Sequence, residues 1–120
     1  EIEKYLGEGC PAYVPKLKLS TAEAIALIKN AGGVAVLAHP MVTNKDEIIP
    51  QLVEEGLQGI EAFYPNYPEA TRIYYEGIAQ KHHLVVTGGS DAHGNAKENT
   101  FVGKARIPYE CVEKLKQVRK

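Results

Sequence analysis

Four side chains of types that bind metal ions lie at or near the ends of short apolar runs in this sequence. His39 closes the run VAVLAHP, Glu61 lies early in GIEAFYP, and Asp91 and His93 follow LVVTGGS. Because Asp91 and His93 are two residues apart, their side chains would point to the same side of an extended backbone. Imidazole nitrogen combined with carboxylate oxygen suits zinc, manganese or iron better than calcium, which prefers oxygen alone. The pattern therefore predicts a divalent metal site with His39, Asp91 and His93 among its ligands.

Each of these residues also has an ordinary structural explanation. Asp91 alone would be a turn residue or a helix N-cap, and His39 alone would be a hydrogen-bonded imidazole before a proline. Glu61 would be an acid near the edge of the core. The metal interpretation depends on their joint placement at strand ends. Lys97 follows the Asp91 segment, where it would meet a phosphate as a point charge or lie exposed in a loop.

The elements that must position these residues alternate between helices and strands. Helices are predicted from the spacing of apolar residues in STAEAIALIKNA, DEIIPQLVEEG, PEATRIYYEGIAQKHH and YECVEKLKQV. Strands are predicted in VAVLAHP, GIEAFYP, LVVTGGSDAH and FVGKARIP. This order predicts an α/β fold with parallel strands, whose functional groups gather at the carboxyl ends of the strands. His82 and His83 end a helix on the opposite side, so we interpret them as structural.

The composition is that of an ordinary globular chain of 120 residues, with 44% hydrophobic and 24% charged residues and a net charge of −1. This is the length of one compact domain or part of a larger one. No apolar run reaches the roughly 20 residues of a membrane span, and the charge argues against strong non-specific nucleic-acid binding. Cys10 and Cys111 belong to no metal or redox motif, which favours a reduced pair in the cytoplasm. The chain begins at Glu1, and we expect a piece of a longer protein.

Three segments, GGVAVLAHP, GLQGIEAFYP and VVTGGSDAHGNAK, together resemble the C-terminal half of the PHP family, the polymerase and histidinol phosphatase superfamily, in its branch of stand-alone metal-dependent phosphoesterases. The resemblance implies that residues 20–120 form the C-terminal part of a distorted (β/α)7 barrel. Residues 1–19 would be an irregular connection, the tail of an inserted subdomain. Up to three metal ions, manganese, zinc or iron, would lie at the strand ends.

The resemblance also implies a role for each candidate residue. His39 matches the metal-binding histidine of the HP motif, and Asp91 and His93 match the paired ligands of the SDxH motif, where they would act in catalysis. Glu61 falls on the glutamate of the GIE motif, and it and Lys97 would contact the substrate. Two departures from the family pattern are that tyrosines replace histidines at 64 and 67, and that no His-x-His motif is present.

The resemblance therefore implies that the parent protein hydrolyses phosphate monoesters or nucleotide phosphodiesters with a metal-activated water. Its substrate would be a phosphorylated small molecule, a nucleotide or a nucleic-acid end. The N-terminal half of the barrel would lie outside this chain, and we expect the chain alone to be inactive. The alternative is a non-catalytic PHP module that serves as a scaffold or interaction domain.

Overall fold

A parallel three-stranded sheet forms the centre of the fold. The computed structural model of the chain describes residues 9–12, 18–96, 98 and 101–119. Its strands are β1, Val36–Leu37, β2, Gly59–Phe63, and β3, Val85–Gly88, and they lie side by side in that order. Both strand pairs are parallel. The predicted α/β fold with parallel strands is confirmed.

Helices connect the strands and follow the last of them. They are α1, Thr21–Asn30, α2, Pro40–Thr43, α3, Ile49–Glu54, α4, Glu69–His82, and α5, Glu110–Val118. Short 3-10 turns occupy Asp46–Ile48 and Gly94–Ala96. No helix in the described ranges has both the length and the apolar character that crossing a membrane requires. Cys10 and Cys111, which both lie in those ranges, do not form a disulfide.

Ser20 followed three residues later by Glu23 predicts an N-cap and a capping box at the start of α1, and the structure confirms the N-cap. The Ser20 hydroxyl accepts a hydrogen bond from the Glu23 N–H at 3.1 Å and donates one to the Glu23 carboxylate at 3.1 Å. This satisfies one of the N–H groups that a helix leaves unpaired at its first turn. The Glu23 carboxylate therefore contacts the capping hydroxyl instead of the backbone N–H of Ser20 that a capping box would use.

The predicted fourth strand, FVGKARIP, is wrong. Its residues 101–108 form turns and irregular backbone, and the Lys104 N–H donates to the Phe101 carbonyl across one of the turns. Gly103 has φ 93°, an angle that breaks extended pairing. Phe101 and Val102 are 60% and 88% exposed. A β-branched and aromatic composition was therefore a misleading sign of a strand.

The first and third strands are shorter than predicted. β1 ends at Leu37, and the chain turns at His39 so that Pro40 can begin α2. Proline suits a first helical position because its missing N–H would be unpaired there in any case. β3 ends at Gly88. The candidate ligands that follow these strands therefore stand on loops and not on extended backbone.

The core lies between β2 and the helices that cover it. Ile60 and Ala62 of β2 are fully buried, and they belong to one cluster with residues of α1, α3 and α4, namely Ile25, Ile49, Leu52, Tyr75 and Ala79. Spacing predicts an inward face of Ala24, Leu27, Ile28 and Ala31 on α1, and one of Ala70, Ile73, Tyr74, Gly77 and Ile78 on α4. Both predicted faces are wrong in their phase. Leu27 and Ile73 are 62% and 54% exposed, whereas Ile25 and Tyr75 point inward. Apolar residues occur on more than one side of each helix, so spacing alone did not select the buried side.

Candidate metal centre

The carboxyl ends of the three strands are joined by carboxylate hydrogen bonds. Glu61 Oε2, on β2, accepts a bond of 2.8 Å from the backbone N–H of His39, which follows β1. Asp91 Oδ2, in the loop after β3, accepts a bond of 2.6 Å from the hydroxyl of Tyr64, which follows β2. Glu61 and Asp91 therefore tie the outer strand ends to the middle strand.

His39 has the features of a residue held for binding. Its backbone has φ 29° and ψ 62°, a region that a non-glycine residue adopts only at a cost of about 1–3 kcal/mol. Its ring nitrogen Nδ1 is buried and has no hydrogen-bond partner among the described residues. A buried polar atom without a partner is costly, whereas an imidazole nitrogen is a common metal ligand. His39 therefore fits the predicted role of ligand.

His93 is held by the backbone of Asp91. Its Nδ1 lies 2.7 Å from the Asp91 carbonyl oxygen. Since a carbonyl oxygen only accepts hydrogen bonds, this contact requires a hydrogen on Nδ1, and in the neutral ring that leaves the lone pair on Nε2. This is the arrangement by which proteins fix the tautomer of a metal-binding histidine. The His93 side chain is 55% exposed.

Asp91 lies between His93 and Tyr64. Its Oδ1 is 3.7 Å from His93 Nδ1, its side chain is 21% exposed, and its backbone has φ 52°. Aspartate tolerates this left-handed conformation better than most residues do. Because Tyr64 donates to one oxygen, the carboxylate is fixed in direction.

Tyr64 is the site residue that sequence reasoning missed. It stands where the family pattern has a histidine, and its ring packs edge-on against His39, with 5.8 Å between ring centroids, while its hydroxyl donates to Asp91. It therefore contacts residues that follow two different strands. The signal in the sequence was its position directly after β2, on the edge of the sheet that carries the other candidates.

A row of tyrosine rings in contact with one another connects Tyr64 to α4. Tyr64 contacts Tyr67 at 5.0 Å and Tyr67 stacks on Tyr75 at 6.1 Å, measured between ring centroids. The Tyr67 hydroxyl accepts a bond from the Met41 N–H, which fixes the first turn of α2 beside His39. Burial raises the pKa of Tyr67 and of Tyr75, and the Asp46 carboxylate adds to the rise at Tyr75. Both phenols therefore remain protonated at neutral pH.

The end of β3 approaches β2 closely because residue 88 is a glycine. Glu61 pairs with Thr87 but Phe63 pairs with Gly88, so β2 carries an irregularity of one residue at this point. A Cβ at position 88 would stand 2.6 Å from the Phe63 carbonyl oxygen and 2.8 Å from Ile107. Irregularities of this kind often redirect side chains next to active sites. Here the irregularity lies at the end of β3, three residues before Asp91.

The structure brings the candidates together in pairs. Glu61 contacts His39, and Asp91 contacts His93, but no group of three histidine, cysteine or acidic side chains in the described ranges is arranged to hold a metal ion. Lys97 lies outside the described residues. His82 and His83 lie at the C-terminal end of α4, before β3 begins, as predicted.

Curated relatives of this chain are enzymes that cleave phosphate esters. It is 41% identical over 86 residues to a phosphoribosyl 1,2-cyclic phosphate 1,2-diphosphodiesterase of Eggerthella lenta, covering 72% of this chain and 32% of that protein. It is 32% identical over 114 residues to a 3',5'-nucleoside bisphosphate phosphatase of Chromobacterium violaceum, covering 90% and 40%. It is 31% identical over 96 residues to the 5'-3' exoribonuclease Rnm of Escherichia coli, covering 76% and 33%. The chain thus spans between about a third and two fifths of the length of these relatives.

A solved structure gives the same result. A protein of Bifidobacterium adolescentis, classed by inference as a metal-dependent phosphoesterase, matches with a TM-score of 0.70 and 34% identity over 90% of this chain and 40% of that one. No protein-family model matches the chain. Sequence and fold together show that its homologues are phosphoesterases. These homologues are of the PHP type, which confirms the resemblance: the chain is homologous to part of the PHP phosphoesterases.

Proposed function

We propose that this chain supplies one part of the metal centre of a phosphoesterase that hydrolyses phosphate esters with a metal-bound water. The observation that carries the proposal is the unpartnered, buried Nδ1 of His39 on a strained backbone, at the same sheet edge as Asp91 and His93. In this proposal residues 20–120 are the C-terminal part of a (β/α)7 barrel and residues 1–19 lead into it. Further ligands come from outside the chain.

The residues at this edge of the sheet would have three roles: binding metal, positioning the ligands and contacting the substrate. His39, Asp91 and His93 would hold divalent metal, which when bound supplies a Lewis acid and a water of lowered pKa. Glu61 holds the His39 backbone, and Tyr64 holds the Asp91 carboxylate, so the ligands need little rearrangement on binding. We place Lys97 near the substrate phosphate because it follows the same loop. Manganese, zinc and iron all suit the mixed nitrogen and oxygen donors.

The test assays the full-length protein with manganese for release of phosphate from mononucleotides and for release of nucleotides from oligonucleotides. Asp91→Asn and His93→Ala should lower the rate by about 100-fold or more, because even residues that only support metal ligands contribute about 10- to 100-fold. Bound metal should fall with the rate. His82→Ala, at the end of α4, is the matched control and should change neither quantity.

Unchanged rate and metal content in Asp91→Asn would refute the proposal. A wild-type protein that binds metal but cleaves no phosphate ester would instead favour the non-catalytic module. Release of nucleotides from oligonucleotides without release of phosphate from mononucleotides would identify a nuclease, and release of phosphate from mononucleotides would identify a phosphatase of small molecules.

A further inference from the structure

The outer face of α4 is apolar and exposed. Ala70, Ile73, Tyr74 and Gly77 lie on one side of this helix, because residues three and four apart are neighbours on a helix surface. All four are exposed to solvent, whereas Tyr75, on the opposite side, is buried. Spacing predicted the exposed side to face the core, and a second apolar surface against which it packs would explain the pattern.

This apolar surface continues from α4 onto α2. Met41 of α2 lines a hollow of about 300 Å³ together with Ala70, Thr71 and Tyr74 of α4, and it is itself half-exposed. Single exposed apolar side chains are ordinary, but contiguous ones mark an interaction surface. We call the surface formed by Met41, Ala70, Ile73, Tyr74 and Gly77 the α4 face.

Gly77 lies inside α4, where glycine lowers stability relative to alanine. A Cβ at this position would meet nothing within 4 Å, and the residue does not have a positive φ angle. Neither a close contact in the described structure nor the backbone conformation therefore requires glycine. On an exposed apolar face, glycine allows the backbone of another element to approach closely.

We propose that the α4 face binds α4 of a second copy of the protein in an antiparallel, two-fold symmetric pair. A pair centred on position 75 sets Ile73 of one copy on Gly77 of the other. The same centre brings Glu69 of one copy level with Lys81 of the other, since both pairs of positions have their midpoint at 75. In a two-fold interface each of these contacts occurs twice.

The charges at the ends of α4 favour this partner and this direction. Glu69 lies in the first turn and Lys81 in the last, about 18 Å apart along the helix, and both are exposed. Glu69 is 3.4 Å from Arg72, whose shorter ion pair of 2.9 Å is with Glu76, so Glu69 is the more weakly held of the two acids. An antiparallel copy presents the opposite charge, and the opposite end of the helix dipole, at each end of α4. A parallel copy would present like charges.

The remainder of the parent protein is a less suitable partner for the α4 face than a second copy. Further strands would add at the free edges of the sheet, which β1 and β3 form among the described strands. The helix α4 connects β2 to β3, and its outer face points away from both. Pairing of one helix from each copy buries a small area, so we expect a weak dimer with a Kd on the order of tens of micromolar. At low micromolar concentrations, where unfolding is measured, the monomer then prevails.

The first test is sedimentation equilibrium of the full-length protein from about 1 to about 500 µM, a range that spans the expected Kd. The wild-type protein should show a monomer–dimer equilibrium. Ile73→Glu should raise the Kd tenfold or more, because pairing would bury an unpaired carboxylate. Val102→Glu is the matched control, since it makes the same type of change at an exposed residue of the segment 101–108, and it should leave the Kd unchanged.

The second test exchanges the charges at the ends of α4. Glu69→Lys alone and Lys81→Glu alone should each raise the Kd about tenfold, because both symmetric attractions become repulsions. The double variant should restore the wild-type Kd to within about twofold. Circular dichroism at low micromolar concentration shows that each variant has kept its helices. Restoration in the double variant requires the antiparallel direction, since loss of helix structure in the single variants would not be reversed by a second charge change.

Three results would overturn the inference. One is a wild-type protein that stays monomeric over the whole range, which would show that another part of the parent protein covers the α4 face or that nothing does. Another is a dimer that Ile73→Glu leaves intact. The third is a double charge variant that pairs no more tightly than the single variants. Sedimentation needs no hydrolysis of a phosphate ester, so these results do not depend on the proposed function.

Discussion

The middle strand separates two regions that are built in opposite ways. On its buried side, Ile60 and Ala62 are completely enclosed and pack against apolar groups of α3 and α4. At its carboxyl end, Glu61 and Tyr64 contact loops in which His39 and Asp91 have positive φ angles. Burial in the first region stabilises the fold. Backbone strain and a buried polar atom without a described partner in the second region destabilise it.

This difference separates positions that determine stability from positions that determine binding. A change in the core or in the sheet should alter the free energy of unfolding, whereas a change of a candidate ligand or its hydrogen-bond partner should alter affinity for metal with little effect on unfolding. The predictions below test that division, and the largest effect comes first.

Ile60→Ala should lower the free energy of unfolding by about 2–5 kcal/mol, because it leaves a cavity in the core that neighbouring side chains fill only in part. Urea unfolding followed by circular dichroism measures the change. The matched control is Ile73→Ala on α4, which is 54% exposed and should change stability by less than about 0.5 kcal/mol. Equal losses in the two variants would contradict the assigned core.

Gly88→Ala should cost about 1–3 kcal/mol, because the new methyl group collides with the Phe63 carbonyl at the junction of β2 and β3. Gly77→Ala is the control, since a Cβ there meets nothing within 4 Å. In the middle of α4 that substitution should stabilise the protein by up to about 1 kcal/mol. Thermal unfolding of the two variants should therefore shift in opposite directions, and a shift in the same direction would argue against the close approach at position 88.

Tyr64→Phe should weaken metal binding about tenfold, because Asp91 loses the hydroxyl that directs its carboxylate. Affinity for manganese in the full-length protein measures the effect. Tyr67→Phe is the comparison, since the Tyr67 hydroxyl accepts from the backbone of α2 and not from a candidate ligand. A larger loss of manganese affinity in Tyr67→Phe than in Tyr64→Phe would show that support of α2, and not orientation of Asp91, sets the affinity.

His39→Gly should leave the protein as stable as before or more stable, by up to about 1 kcal/mol, because glycine adopts φ 29° without strain. The same change should abolish the contribution of this position to metal binding. Chemical unfolding without metal provides the measurement. A loss of stability comparable to that of Ile60→Ala would show that His39 serves the core.

The sequence carried more information about the strands than about the loops at their ends. The apolar runs before His39, after Gly59 and before Gly88 predicted three parallel strands because a buried strand needs little besides apolar residues. The segment 101–108 had similar composition but formed turns, since Gly103 takes a positive φ angle and none of the three described strands pairs with the segment. Composition shows that a segment can extend, but pairing depends on what lies next to it.

The candidate site shows the same limit. Residue types and positions predicted His39, Asp91 and His93 as candidate metal ligands. They did not predict that Tyr64 would contact both His39 and Asp91. Spacing also could not show that Glu61 would accept a hydrogen bond from the His39 backbone, because that contact depends on how sharply the chain turns after Leu37. Hydrogen bonds between loops of different strands need the three-dimensional arrangement.

The most direct test of the metal centre uses the four histidines of this chain as internal probes. Manganese is paramagnetic and broadens the NMR signals of the imidazoles nearest to it, even when binding is weak. As manganese is added to the isolated chain, the signals of His39 and His93 should broaden first, while those of His82 and His83 at the end of α4 should persist. Equal broadening of all four, or earlier broadening of His82 and His83, would contradict a metal centre at the carboxyl ends of the strands.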